Sequence, residues 1–572
     1  MKRKAARQRG RIVRAPLSLT LPAGAVAGWR PYALLGLLCL GLYLPGMSNL
    51  PVTDRDEARF AQATRQMIET GDYLHIRFQN EARNRKPAGI YWLQALAVTG
   101  LSNAESAEIW PYRLPSLLGA MATVFLTFAL GRGLVGAPAA LLGAALLASS
   151  LTLVAEAHLA KTDAVLLGLT AAAQLALGKI YGAARASKKA AQKKTDAPVC
   201  WALLFWAALA ASALIKGPVA PLLALLTALS LSAADRDARW LLNLKPLWGA
   251  ALFLIVVGPW LYLISRATQG AFLSDSLGHD FLGKLVGAQE SHGVFPGAYT
   301  LLLALTFWPG SLFLAGGLLR GWIVRAKPAE RFLLAWAVPY WILLELIPTK
   351  LPHYLLPTYP ALALLAAAAL VHGVKRPLWL DALTGLLWAL ATLAISALLI
   401  AAPVSLGHGL SPAGLTAAAI TLLMGGSLLY RFWRQRRPMP GIAARAAILA
   451  LLVLAPALAL VAPGLDYLWL SRSAADLVRQ NAAPGASISV AGYAEPSLIF
   501  LLGTDTRIGS GEEAARALVA PQPSWALVEG RDDDAFRQAL AKLGKKPRAI
   551  GQVSGFDYSN GKPAALTLYS AP

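Results

Sequence analysis

Long apolar runs punctuated by short polar clusters dominate the chain. The runs lie near 32–47, 112–131, 137–155, 162–180, 199–215, 217–233, 247–265, 298–319, 331–347, 355–373, 380–402, 411–430 and 442–463. Most have the length of about 17–25 residues that a hydrocarbon core of about 30 Å requires, and the pattern predicts thirteen transmembrane helices. One more apolar piece, Ala88 to Ser102, is short, and charge decides its place. If it does not span, every basic cluster falls on the side of the N-terminus: Lys2 to Arg14, Arg185 to Lys194, Arg236 to Lys245, Arg320 to Arg331, Lys375 with Arg376, and Arg431 to Arg437. If it spanned, the later clusters would break the positive-inside bias repeatedly. Lys86 to Ser102 is therefore expected to lie in the interface, a depth that suits Tyr91 and Trp92.

The periodicity changes after about residue 465. Alternating runs such as SISVAGYA, WALVEG and ALTLYS intersperse with helical pieces such as EEAARALV and DDDAFRQALAKLG, which predicts a small α/β domain at 465–572 behind a membrane domain at 1–464. An odd number of spans puts that tail outside the cytoplasm. Composition agrees with the class: 56% hydrophobic and 15% charged residues, with a mean hydropathy of +0.52, exclude an ordinary soluble globule. The net charge of +23 sits in clusters between spans, the pattern that orients helices in a bilayer, so no nucleic-acid partner is expected. Cys39 and Cys200 lie in or beside separate apolar stretches and offer no disulfide framework. The basic N-terminus is read as the cytoplasmic start of a retained helix.

This topology gathers four polar segments on the non-cytoplasmic side. They are the loop from Ser48 to Pro87, with Asp54, Asp56, Glu57, Arg59, Arg83, Arg85 and Lys86; the turn AEAHLAKTD, with Glu156, His158, Lys161 and Asp163; Lys216 in LIKGP together with the loop from Arg266 to Tyr299, with His279, Lys284, Glu290 and His292; and IPTKLPHYLLP, with Lys350, His353 and Tyr354. Carboxylates on separate loops beside several cations suit a transfer reaction on a phosphorylated substrate, the cations holding the phosphate and a carboxylate orienting or deprotonating the acceptor. Asp163 opens an apolar run, where a charge is costly and function is the default reading, with helix capping as its competitor. The spacing of the histidines matches no zinc signature.

DEARFAQATRQMIETGDY followed by RKPAGIYW resembles the first external loop of the GT-C lipid-linked glycosyltransferases, in the branch related to protein O-mannosyltransferases. Within it the chain is most similar to lipid A 4-amino-4-deoxy-L-arabinose transferases, with further matches in AKTDAVLL, LIKGP, HDFLGKL, SHGVFPGAY and TKLPHYLLPTYPALALL. The resemblance implies a polytopic helical fold with juxtamembrane helices at 54–102, in the bacterial inner membrane, its active site facing the periplasm. It implies an undecaprenyl phosphate-linked sugar as donor and lipid A as acceptor. Asp56, Glu57 and Asp163 become the acidic catalytic positions, and Arg59, Lys86, Lys216, Lys350 and Tyr354 the binders of the carrier phosphate. His279 matches a histidine of the large loop that could contribute to a zinc site, but Arg85 stands where related chains often carry Glu, and Lys284 stands where Arg is usual. Transfer of an amino sugar would make lipid A less negative and weaken the binding of cationic peptides. Two alternatives remain open: another polyprenyl-phosphate sugar transferase acting on protein or a different glycolipid, and a transporter. Charges collected at span ends, without visible inverted repeats, count against the transporter.

Overall fold

The computed structural model describes residues 26–53, 55–190, 198–276, 278, 295–434, 440–483, 485–520 and 524–571. In order, the first helices are α1 (Arg30–Tyr43), α2 (Asp56–Thr70), α3 (Gly89–Leu101), α4 (Trp110–Leu134), α5 (Ala137–Ala148), α6 (Leu151–Ala157), α7 (Asp163–Ala190), α8 (Val199–Lys216), α9 (Val219–Asp235) and α10 (Pro246–Ala267). A two-residue hairpin, β1 (Arg77–Phe78) with β2 (Glu81–Ala82), links α2 to α3.

Each of the thirteen apolar runs coincides with a helix or a broken helix, but fewer qualify as simple spans. Among the described residues eight helices are long and apolar enough to cross a membrane, or nine if α5 and α6, bent by 62°, form one broken span. The rest depart for local reasons. Helix α1 has only 14 residues, and α9 has 17. The run at 298–319 is split by a 3-10 turn at Gly310–Phe313, and Pro328–Leu346 carries Glu330, Arg331 and Glu345. The protein is a multi-pass membrane protein. Helix α3, at 13 residues, would reach about 20 Å at 1.5 Å per residue, too short to cross a core of about 30 Å.

Helix α7 runs through the interior of the bundle, with 83% of its span window buried, next to 89% for the Pro352–His372 span and against 17% for α10, whose Leu247, Trp248, Leu254 and Ile255 face outward. It lies close against α4, because a Cβ on Gly119 would fall 2.7 Å from the Ala164 carbonyl oxygen, a contact only glycine permits. One end of α7 carries Asp163. Near the other, Asp235 at the end of α9 accepts from the Tyr181 hydroxyl at 2.8 Å and pairs with Arg185 at 3.1 Å and with Arg331. Arg185 and Arg331 come from two separate basic clusters. Their meeting, about 33 Å along α7 from Asp163 at 1.5 Å per residue, gives the bundle one basic end and an opposite end where the polar loops gather.

The C-terminal part is a five-stranded mixed sheet in the order β4-β3-β5-β7-β6, with β3 (Ser487–Ala491), β4 (Arg507–Gly509), β5 (Ser524–Glu529), β6 (Arg548–Asp557) and β7 (Lys562–Ser570). Strand β3 runs parallel to both β4 and β5, and β7 closes antiparallel on β5 and β6. Helices Leu470–Asn481, Pro496–Leu502, Gly511–Leu518 and Asp533–Lys542 accompany it. The middle strands, SISVA and SWALVE, are apolar and almost wholly buried, as strands covered on both faces must be. This is the α/β unit that the alternating runs after residue 465 predict.

A buried ion pair ties the first loop to the bundle. Arg113, in the first turn of α4 and fully buried, donates from Nε and Nη2 to the two Glu57 carboxylate oxygens at 2.8 and 3.0 Å. It donates further to the carbonyls of Met47, Leu50 and Pro51 at 2.9, 2.8 and 3.0 Å, so all its N–H groups are satisfied. Glu57 also accepts from the Thr53 and Ala160 backbone N–H groups, each at 2.9 Å. Burial alone would raise its carboxyl, but Arg113 and these N–H groups outweigh burial and hold it below the usual carboxylate range. Glu57→Gln should cost about 3 kcal/mol by leaving the guanidinium buried and uncompensated, read as a fall in the thermal unfolding midpoint in detergent. Because the folded carboxyl is depressed, the clamp's stabilisation is complete above about pH 4.5 and disappears only as pH falls through the lowered value. A midpoint equal to that of the wild type at pH 7 would remove this role.

Candidate active site

The turn between α6 and α7 is held from three sides. Its Ala160 N–H donates to Glu57, its Ala160 carbonyl accepts from Gln94 Nε2 at 3.0 Å, and Ser116 Oγ donates to the Leu159 carbonyl at 2.6 Å. Gln94, on α3, accepts in turn from Thr64 Oγ1 of α2 at 2.7 Å. Three helices thus fix the backbone that presents Lys161 and Asp163.

Around Asp163 the charges interlock. Its Oδ1 accepts from Lys216 Nζ at 2.6 Å and lies 3.8 Å from His353 Nε2, while Oδ2 lies 4.0 Å from Lys161 Nζ. Lys161 pairs with Glu156 at 2.9 Å, and the other face of the His353 ring, Nδ1, is 3.8 Å from the same Glu156 oxygen. Burial would lower the Lys161 ammonium, but Glu156 and Asp163 more than reverse this and raise it, so it stays charged. Lys216 sits over the Tyr354 ring, 5.4 Å from its centroid, a cation–π contact that orients the ammonium.

Asp163, Lys216, Tyr354, His353 and Lys86 line one pocket of about 120 Å³, whose remaining walls are Leu166, Val219, Leu222, Tyr340, Leu343, Leu344, Ile347 and Pro357. Residues from four distant polar segments meet here. Lys86 reaches it because α3 seats tightly on α8: a Cβ on Gly89 would stand 2.7 Å from the Leu214 carbonyl oxygen. The pocket is polar at the end where Lys86, Asp163, Lys216, His353 and Tyr354 meet and greasy along its walls, which fits an amphiphile with an anionic head.

Asp56 and Arg59 lie beside this pocket rather than in its wall. Asp56 is exposed on the first turn of α2, and its charge acts on Lys161 and Arg59. Arg59 is half-buried, and burial and the neighbouring Arg83 lower its guanidinium, while Asp56 and Glu495 oppose that. Arg83 donates to the Tyr91 hydroxyl at 3.2 Å and stacks over Phe60.

Two expected site residues are engaged elsewhere. Glu57 spends both oxygens on Arg113, Thr53 and Ala160, which makes it a structural group and not a catalytic one. Lys350 directs its ammonium at the carbonyls of Leu344, Glu345 and Ile347, at 3.4, 3.0 and 2.5 Å, with Tyr299 beneath it. It caps the C-terminus of the Pro328–Leu346 helix, where a cation suits the dipole, and has no donor left for a phosphate. His279, Asp54, Lys284, Glu290 and His292 fall outside the described residues. Among the described residues no three His, Cys, Asp or Glu side chains could hold a metal, and Arg85 is a cation at the position from which a ligand was expected.

Residues 85–263 match the family model described as dolichyl-phosphate-mannose-protein mannosyltransferase. The crystal structure of ArnT from Cupriavidus metallidurans bound to undecaprenyl phosphate superposes with a TM-score of 0.70 at 18% identity, covering 95% of this chain and 98% of that one. The chain has the fold of that ArnT, and its segment 85–263 is similar to the mannosyltransferase domain. The apo form of the same ArnT gives a TM-score of 0.69. Among curated proteins, the undecaprenyl phosphate-alpha-4-amino-4-deoxy-L-arabinose arabinosyl transferase of Pseudomonas paraeruginosa is 30% identical over 348 residues, or 59% of this chain and 60% of the relative. The protein of that name from Edwardsiella ictaluri is 26% identical over 428 residues, or 72% and 74%. The chain thus spans about three-fifths of the first of these relatives.

The contrast between two lysines is testable with a simple amphiphile. Lys216→Met should weaken binding of dodecyl phosphate by about tenfold or more, the loss of one charged hydrogen bond of about 1.5–3 kcal/mol. Lys350→Met should leave that affinity unchanged and lower the unfolding temperature. Titration calorimetry and thermal unfolding on both variants separate the roles, and equal affinity losses would return Lys350 to the site.

Proposed function

We propose that the protein transfers 4-amino-4-deoxy-L-arabinose from undecaprenyl phosphate to a phosphate of lipid A, at the periplasmic face of the bacterial inner membrane. The observation that carries this reading is the pocket itself: apolar walls that suit a polyprenyl chain run up to Lys86, Lys216 and Tyr354, which suit its phosphate. The names of the curated relatives support the same sugar and carrier.

In this reaction an oxygen of the acceptor phosphate attacks the anomeric carbon, the bond from that carbon to the carrier phosphate oxygen breaks, and undecaprenyl phosphate leaves. A phosphate monoester, with a second pKa of about 6, is already largely ionised near neutral pH and needs little general-base help. Asp56, exposed beside the pocket, is then free to pair with the sugar ammonium or orient the acceptor. Lys86 and Arg59 stabilise the charge that grows on the leaving phosphate. Asp163, accepting from Lys216 Nζ, aims that ammonium and yields part of its hydrogen bonding when the phosphate arrives.

The match of residues 85–263 to a mannosyltransferase family favours a second reading, transfer from a polyprenyl phosphate to a hydroxyl of a protein or another glycolipid. A hydroxyl acceptor needs a true base, and Asp56 would be that base. Mass spectrometry of lipid A from cells with and without the gene distinguishes the two. A mass increment for one pentosamine is expected in the first case, and an unchanged profile under inducing conditions selects the second. Under the first reading Asp56→Ala and Lys86→Ala should each abolish the increment while the protein still folds, and full activity in both would overturn the assignment.

A further inference from the structure

Among the described residues lining the pocket, His353 is the one whose side chain ordinarily changes charge between pH 5 and 8. Its place is fixed. It sits on the 3-10 segment Pro352–Thr358, which Trp336 Nε1 pins by donating to the Pro357 carbonyl at 2.9 Å, and in which Thr358 Oγ1 donates to the Leu355 carbonyl at 2.8 Å. The ring meets Tyr354 edge-on, with centroids 5.0 Å apart, and its side chain is 15% exposed.

Both ring nitrogens face carboxylates. Nδ1 lies 3.8 Å from Glu156 Oε1, near the end of α6, and Nε2 lies 3.8 Å from Asp163 Oδ1, at the start of α7. Each of these oxygens already carries a lysine: Glu156 Oε1 pairs with Lys161 at 2.9 Å, and Asp163 Oδ1 accepts from Lys216 at 2.6 Å. The second Glu156 oxygen is buried and accepts no hydrogen bond, so the contacts that compensate this buried carboxylate run through Oε1. The charged groups round the ring are thus Glu156 of α6, Asp163 of α7, Lys161 of the turn between them, Lys216 at the end of α8 and Lys86 before α3, with Tyr340 and Tyr354 as the phenols of the pocket wall. A proton taken up on the ring adds a positive charge beside a wall whose single carboxylate, Asp163, is already paired.

We propose that His353 is a further head-group ligand of this pocket, and that a proton on its ring is part of what holds the anionic end of the donor. This rests on the reading of the pocket as the site of the carrier phosphate. The donor head is a phosphodiester, which keeps one negative charge throughout the range in which imidazole titrates, whereas the monoester that leaves has a second pKa of about 6. An anion that binds the protonated ring more tightly than the neutral one draws a proton into the site. Donor affinity therefore rises as pH falls through the imidazole range and declines above it. The same proton faces the second charge that develops on the leaving phosphate, which a neutral ring could not balance.

Dodecyl sulfonate is the probe, since its head carries one charge that does not titrate. Titration calorimetry on the full-length protein in lipid nanodiscs, from about pH 8 to about pH 5.5, should show the wild type binding at least about fivefold more tightly at the acid end. Paired buffers of different ionisation enthalpy should show net proton uptake on binding. His353→Gln keeps a hydrogen-bonding side chain but cannot take up a proton, and its affinity should no longer follow pH. A slope that survives in His353→Gln moves the titration to Glu156 and overturns the proposal, as does a wild-type affinity indifferent to pH. Should His353→Gln fail to fold, His353→Asn takes its place, and the wild type alone still decides, because binding without proton uptake also overturns the proposal. Lys216→Met separates this inference from the reading beneath it. If that variant binds the sulfonate as tightly as the wild type, the pocket is not the head-group site and both fall; if binding depends on Lys216 but not on pH, the role of His353 falls alone.

Discussion

The site depends on the fully buried pairing of Arg113 with Glu57. One guanidinium gathers the carbonyls at 47, 50 and 51 and a carboxylate from α2, and that carboxylate in turn holds the backbone of the α6–α7 turn. A buried ion pair contributes little net stability, because desolvation offsets attraction, but it is expensive to break and has strict geometry. Here geometry is the product. Loop, juxtamembrane helix, first long span and acidic turn come to one register, and Lys161 and Asp163 stand where Lys216 and His353 can meet them. The uncharged lattice of Thr64, Gln94, Ala160 and Ser116 closes the remaining degrees of freedom.

On that frame the electrostatics divide into two layers. The inner layer, buried Glu156, Lys161 and Asp163 with half-buried Lys216 and His353, sets two ammonium groups against two carboxylates, so it can persist at a membrane boundary without a ligand. The outer layer, Arg55, Asp56, Arg59 and Arg83, is wetter and richer in cations, and the C-terminal unit reaches it where the Ser559 carbonyl accepts from Arg55. Cations thus stand in both layers, and Asp163 of the inner one is committed to Lys216.

Much of this was legible in the sequence, for physical reasons. Charges at the ends of apolar runs are costly, so Asp163 stands out, and the positive-inside bias puts Lys86, Lys216 and Tyr354 on the same side of the membrane as it. What the sequence hid was the partner of each charge. Glu57 adjoins Asp56 and looks equivalent, but one residue along a helix turns the side chain by about 100°, here from solvent into the bundle. Lys350 looks like a phosphate ligand until the three carbonyls ending the preceding helix are seen around it. Arg113, a charge within a span, is a signal in itself, but its partners, Glu57 and the carbonyls at 47, 50 and 51, lie more than fifty residues away in the chain and only the fold brings them to it. The run lengths overstated simple spans for a related reason: hydropathy marks what is buried in lipid or protein, and cannot see the break between α5 and α6 or the interruption at 310–313.

The broken elements sit where the chemistry needs them. Helix α6 ends at Ala157, just before the turn that carries Lys161, and the 3-10 segment Pro352–Thr358 presents His353 and Tyr354 before Tyr359 resumes the helix. An unbroken span would carry these side chains at fixed angular spacing along one cylinder. Interrupting it lets His353 touch two carboxylates at once while Tyr354 turns toward Lys216. Such breaks leave backbone groups unpaired, which is tolerable at membrane depth only inside protein or beside a cavity. The pocket wall meets that condition, since His353, Tyr354 and Pro357 of the 352–358 segment line the cavity. Ligand site and helix breaks are therefore two aspects of one constraint: irregular backbone is affordable only where the fold also makes a cavity.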